Sequence, residues 1–322
     1  MIQRHRACLA VLLLALALPV QAFDLQGHRG TRGWAPENTL AAFERALEIG
    51  VTTLEMDAAI TADGVVVISH DPALTPAITR DSQGHWLAGR GPLIRALTAA
   101  ELTAFDVGRI DPGSAYARQF PDQRPVDGQR IPTLAAVFAK VNELGADAVR
   151  FDIETKIFPS RPDDTVAPET FVRTLLDVIR KAGMTRRVMI QSFDWRTLAL
   201  VQHLEPGIDT VYLTARNSDF DTLSDGTWTA GMRITDFPSV PHMVKAAGGA
   251  IWSPAFRNLT ADAVRTAHAL GVKVIPWTVN DAADADRLIG WGVDGIISDY
   301  PDRMREVMQR RGMAVPAPVV KR

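Results

Sequence analysis

The chain has 322 residues, 47% of them hydrophobic and 22% charged, with a formal net charge of −2. Those values belong to an ordinary globular protein; they exclude a fibrous or disordered chain and leave no basic face for nucleic acid. A chain of this length buries a large core without covalent staples, either as two domains or as a single α/β barrel.

The first predicted element is not part of the fold. Arg4 and Arg6 precede an apolar run from Leu9 to Leu18, and Val20-Gln21-Ala22 supplies the small-residue pattern of a cleavage site. Residues 1–22 therefore read as a signal peptide, too short in its apolar part to span a bilayer. Cleavage removes Arg4, Arg6 and Cys8, the only cysteine, so the net charge moves from −2 to −4. The mature protein would be periplasmic or secreted, free of disulfides and held by its core or by a metal. No later apolar run reaches the length of a membrane span, so no stable anchor is expected.

Strands follow near 24–27, 52–57, 149–154, 187–192, 209–213, 249–253, 272–277 and 294–298. Val65 to Ser69, after an Asp63-Gly64 turn, reads as a hairpin partner of the second. The intervening stretches carry helical spacing: Leu40, Phe43 and Leu47 share one face, as do Phe171, Leu175 and Val178. Five of them end in glycine (Gly50, Gly145, Gly183, Gly271 and Gly292) directly before an apolar run, the signature of a helix closed by a left-handed residue. Repeated units of this kind predict a parallel (β/α)8 TIM barrel. An open doubly wound sheet is the alternative, weakened because no glycine-rich dinucleotide fingerprint opens a βα unit. Residues 72–130, rich in Pro, Gly, Asp and Arg, read as an insertion with one helical stretch near 98–105. The barrel domain spans 23–313, 214–248 is long for a loop, and 314–322 reads as a disordered tail.

Titratable residues gather at the predicted C-terminal strand ends, where barrels build active sites. Glu55 and Asp57 lie two apart on one strand and face the same way. Two such carboxylates repel unless a cation intervenes, and Glu154 would complete an oxygen-ligand site suited to Ca²⁺ or Mg²⁺. The competing possibility is a metal-free network with Arg29 and Lys156. His28 and His70, also at strand ends, suit a base-and-acid pair, or metal ligation. Arg29 and Lys156 would hold an anion, Arg29 as a bidentate fork. Metal-assisted hydrolysis of a phosphate ester uses all of these groups.

The ordered series His28-Arg29-Gly30, Pro36-Glu37-Asn38-Thr39, Glu55-Met56-Asp57, Asp63-Gly64, His70-Asp71, Ile131-Pro132-Thr133-Leu134, Glu154-Thr155-Lys156, Gln191-Ser192-Phe193, Pro276-Trp277-Thr278 and Gly292 to Pro301 resembles the glycerophosphodiester phosphodiesterase family over about residues 25–305. The resemblance implies a (β/α)8 barrel with an insertion after the second strand region. It implies a small glycerophosphodiester substrate, with His28 and His70 as acid and base in an order it does not fix. Glu55, Asp57 and Glu154 become ligands of Ca²⁺ or Mg²⁺, and Arg29 and Lys156 contact the phosphate. Trp277 and the insertion would border the glycerol or the leaving group, unless Trp277 packs as a core tryptophan at the barrel top. Asn38 or Thr39 would cap the first helix, and Asp299 and Pro301 would end the last strand. A phospholipase D-like enzyme acting on lysophospholipids is the competing activity.

Overall fold

The structure, a computed structural model, describes residues 23–320; the signal-type segment 1–22 lies outside them. Alternating apolar residues and capped helices set the order of elements. The parallel strands are β1 (Asp24–Gly27), β2 (Thr53–Ile60), β4 (Arg150–Thr155), β5 (Val188–Ser192), β6 (Asp209–Thr214), β7 (Ile251–Pro254), β8 (Lys273–Val274) and β9 (Gly295–Ser298). β3 (Val66–Ile68) pairs antiparallel with the outer end of β2, as the Asp63-Gly64 turn predicts. The sheet runs β8-β7-β6-β5-β4-β2-β1-β9. Three backbone bonds bring its ends together: Asp294 N–H to Val274 O (2.9 Å), Ile297 N–H to Pro276 O (3.0 Å) and Val279 N–H to Ile297 O (2.9 Å). The result is a nearly closed (β/α)8 barrel. β8 is shorter than the expected 272–277 because Pro276 has no N–H to give a ladder.

Helices α1 (Leu40–Ile49), α3 (Leu134–Glu143), α4 (Pro168–Lys181), α5 (Trp195–Leu204), α6 (Val240–Ala246), α7 (Ala261–Ala269), α8 (Ala282–Gly290) and α9 (Pro301–Arg310) follow the strands, and α2 (Ala99–Leu102) lies in the insertion. Thr39 and Thr133 cap α1 and α3 through their hydroxyls. All five junction glycines take positive φ, between 68° and 91°. Among the described residues no helix is long and apolar enough to cross a membrane.

The main core fills the layer between sheet and helices, with Leu54, Met56, Phe151 and Ile153 meeting Phe43, Leu47, Val137 and Phe138. The alternate strand residues face the barrel interior, which is lined unevenly. β5 to β9 supply Met189, Val211, Ile251, Ile275 and Ile297 as one apolar cluster. β1, β2 and β4 supply Gln26, Thr53, Glu55, Asp57, Asp152 and Glu154, all buried.

Between β3 and α3 the insertion packs Leu74, Ile94 and Leu102 against Ala59 and Val67 as a small second core. The tail corrects an expectation. Residues 314–320, read from composition as disordered, lie as a strap at the foot of the barrel. Val315 and Val319 pack on the core, Val319 N–H bonds Leu47 O at 2.9 Å, and Arg305 bonds Pro316 O. Prolines forbid a helix there, but an extended segment still buries its valines.

Candidate active site

β1 ends in a turn that only glycine allows. A Cβ on Gly27 would lie 2.0 Å from Gly30 O, and Gly30 has φ +84° with Ala42 pressed against it. This turn presents His28 and Arg29, the latter at φ 50°. The register of β2 on β4 sets Asp57 beside Glu154, and that of β4 on β5 sets Glu154 beside Gln191. Lys156 follows on the next inward position. His70 comes just after β3, held over the mouth because Ser69 N–H bonds Asp57 O at 2.8 Å.

These groups meet around a cavity of about 150 Å³ lined by His28, Arg29, Glu55, His70, Lys156 and Trp277, among others. Carboxylate oxygens of Glu55, Asp57 and Glu154 all lie within 4.8 Å of one another, and the three residues are buried. Glu55 accepts from the Arg29 N–H (2.7 Å) and from Gln191 Nε2 (2.7 Å). Asp57 accepts from Asn38 Nδ2 (2.9 Å), with Arg29 Nε 3.1 Å away. Glu154 pairs with Lys156 Nζ at 2.9 Å. Trp277 donates its indole N–H to Ser253 O and packs edge-on against Phe193, which in turn meets Phe220 and Trp228.

The electrostatics are uneven. Burial, reinforced by Asp57, pushes the Glu55 carboxyl well up. Burial also raises Glu154, against Lys156, to about 7. Asp57 goes the other way: burial opposes ionisation, but Arg29, His70 and Lys156 outweigh it and hold the group far below the usual carboxylate range. Burial, then Arg29 and Lys156, lower His70 to about 4. Burial also lowers His28, but Asp299 resists, with Oδ1 only 2.6 Å from His28 Nδ1.

The sequence profile of the glycerophosphoryl diester phosphodiesterase family matches residues 28–303. The chain belongs to that family. It is 28% identical over 285 residues to a glycerophosphodiester phosphodiesterase of Bacillus subtilis, covering 87% of this chain and 84% of that one. A crystal structure from Silicibacter pomeroyi, assigned to the same family, is 37% identical with a TM-score of 0.82, covering 92% of this chain and 96% of that one. An Oleispira antarctica phosphodiesterase, crystallised with its product sn-glycerol-3-phosphate, shares the fold at 24% identity and a TM-score of 0.63, covering 89% of this chain and 96% of that one.

The chain is thus a glycerophosphodiester phosphodiesterase, and the acidic triad at the barrel mouth fits a hard divalent cation. Three buried carboxylates at this spacing, two of them (Glu55 and Glu154) pushed upward in pKa by burial and by Asp57, offer the oxygen donors such an ion takes. Part of the metal-free network is present as well, through Arg29 with Asp57 and Lys156 with Glu154. All eight residues singled out by sequence converge here. Of the two cap candidates, Thr39 caps α1 while Asn38, at φ 56°, turns to Asp57.

Asp299 is the residue whose role sequence reasoning missed. Read as a strand end, it sits fully under the site, binding His28, Arg32 (2.9 and 3.2 Å) and Asn280 (2.7 Å). Glu37, at 2.6 Å from Arg29 Nη1, also went unassigned. The available signal was position: Asp299 follows β9 as His28 follows β1, and these strands are neighbours.

Proposed function

We propose that this phosphodiesterase hydrolyses glycerophosphodiesters to sn-glycerol 3-phosphate and an alcohol, as a step in glycerophospholipid breakdown, with Ca²⁺ or Mg²⁺ held by Glu55, Asp57 and Glu154. The observation that carries the reading is the meeting of three carboxylates, two histidines and two cationic side chains in one mouth. The product bound by the Oleispira relative supports it. A bound cation would supply Lewis-acid polarisation of a phosphoryl oxygen.

The chain's own residues do the rest. Arg29 and Lys156 take the non-bridging oxygens, Arg29 kept charged because Glu37 and Asp57 overcome the cost of its burial. Burial, with Arg29 and Lys156 facing it, keeps the His70 ring neutral and ready to accept a proton from the nucleophile, a water or the substrate's own glycerol hydroxyl. His28 has the closer and more buried carboxylate partner, Asp299 at 2.6 Å against Asp71 at 3.1 Å from His70, so it returns a proton to the leaving oxygen. Trp277 and Phe193 border the organic part of the substrate.

A lysophospholipid substrate is a second reading, favoured by the aromatic wall of Phe158, Phe193, Phe220, Trp228 and Trp277 beside the mouth. Purified protein offered glycerophosphocholine, glycerophosphoethanolamine and lysophosphatidylcholine separates the two. Glycerol 3-phosphate release from the first pair with Ca²⁺ or Mg²⁺, and none in EDTA, is the expected result. Turnover of the lysophospholipid alone would favour the second reading, and no turnover with either cation would sink both. The pattern of residues 1–22 supports export, so the place of action is proposed as the periplasm or beyond; a mature N terminus at Phe23 is the expected result of sequencing the exported protein.

A further inference from the structure

One short segment of the insertion hydrogen-bonds to the residues that support the site. Tyr116 donates its hydroxyl to the Glu37 carboxylate and accepts from Arg32 Nη1 at 3.1 Å. Glu37 carries on to Arg29 Nη1, and Arg32 carries on through Asp299 to His28 Nδ1. Phe120 lies under the Arg32 guanidinium, 4.5 Å from ring centroid to Cζ, and packs edge-on against Tyr116. Two further contacts fasten the backbone around Arg32: Gln123 Nε2 donates to Arg32 O at 2.8 Å, and Arg124 N–H donates to Trp34 O at 2.8 Å. One hydroxyl is therefore shared by two chains of hydrogen bonds, one ending at the phosphate-holding arginine and the other at the histidine of the leaving oxygen.

We propose that residues 116–124 of the insertion are a working part of this active site, with Tyr116 a positioning residue that fixes Arg29 through Glu37, and Phe120 one that fixes His28 through Arg32 and Asp299. The geometry makes the two contributions separable. Arg32 keeps two bonds to Asp299 without Tyr116, whereas Glu37 loses its only hydroxyl donor, so the Tyr116 hydroxyl acts mainly on Arg29 and on binding of the phosphate. The Phe120 ring touches Arg32 alone of the two arginines, so it acts on the chain that ends at His28 and on turnover. A neutral donor to a buried carboxylate and a stacked guanidinium both restrict side chains that otherwise have several rotamers, which is how a group without substrate contact affects rate.

This inference rests on the phosphodiesterase reading above, and the test keeps the two apart. Tyr116→Phe and Phe120→Leu preserve buried apolar volume. Binding of inorganic phosphate is measured by calorimetry with Mg²⁺ present, alongside kcat and KM for glycerophosphocholine and the melting temperature. Tyr116→Phe is expected to weaken phosphate binding and raise KM by about tenfold, with kcat nearly unchanged. Phe120→Leu is expected to lower kcat by about threefold, with phosphate binding nearly unchanged. Unchanged phosphate affinity in Tyr116→Phe, or a loss in both variants that merely follows a lower melting temperature, overturns the proposal. Wild-type protein that binds phosphate but turns over no diester overturns the activity reading instead, and the calorimetry of Tyr116→Phe still decides the positioning role.

Discussion

Replacing His70 with alanine is expected to lower kcat/KM by about 10²–10⁴-fold for every diester tested, because the proton acceptor of the nucleophile is gone. His28→Ala should lose as much on glycerophosphocholine, whose choline is a poor leaving group, yet keep most of its rate on a glycerophospho-p-nitrophenyl ester. A leaving group that departs as a stable anion needs no proton. Equal losses on both esters in His28→Ala, or a rescued His70→Ala, would reverse the assignment. The pH profile carries the same sign. A base must be neutral to act, so activity falls as pH drops through its pKa, and His70 at about 4 sets that limb well below the ordinary histidine value. At saturating cation, kcat/KM should show no falling acidic limb between about 6.5 and about 5, and should decline toward higher pH as His28, its pKa lowered by burial, loses the proton it donates. An acidic limb at 6.5 or above would mean that His70 is not desolvated beside Arg29 and Lys156.

The second large effect is expected at Asp299. Asp299→Asn leaves the shape and removes the charge that favours a protonated His28 and that opposes the Arg32 guanidinium. Burial alone would raise this carboxyl; His28 and Arg32 instead hold it far below the normal range, so the ionised form is the one the fold is built around. Turnover of glycerophosphocholine should drop by about a hundredfold, within the range of a lost acid, while the p-nitrophenyl ester is spared as in His28→Ala. Leaving Arg32 buried without its partner should also cost about 3–5 kcal/mol of stability, read from chemical denaturation. A variant that loses stability but cleaves both esters at the wild-type rate would make Asp299 structural only.

Much of the barrel was legible because its cues are local. Glycines that end helices and apolar runs that follow them need no knowledge of distant residues, and eight strands followed within a few residues of their expected places. The acidic triad was legible for a related reason: Glu55 and Asp57 share a face by strand geometry, and Glu154 ends the next parallel strand. Asp299 and Glu37 were not. Their importance comes from contacts across 271 residues to His28 and across the turn to Arg29, which no local period encodes. Tyr116 lies in an irregular stretch, where spacing says nothing about direction. The tail failed on composition, since Pro-rich segments are common in disordered chains but a pair of valines with a free groove beneath them is enough to hold one down.

The uneven lining of the barrel has a consequence for how such a molecule can change over generations. Every charged group assigned to phosphate, cation or proton, Asp299 excepted, comes from residues 28–156, while β5 to β8 contribute apolar packing and aromatic surface. Substitution in the loops after β4, β5 and β6 is expected to alter which alcohol is accepted, and Phe220 and Trp228 should do so with less effect on the reacting centre than Phe158 and Phe193, whose rings lie 5.8 and 5.9 Å from Lys156 Nζ. A designer wishing to redirect its choice of substrate would begin with Phe220 and Trp228, which stand away from the charged half of the barrel.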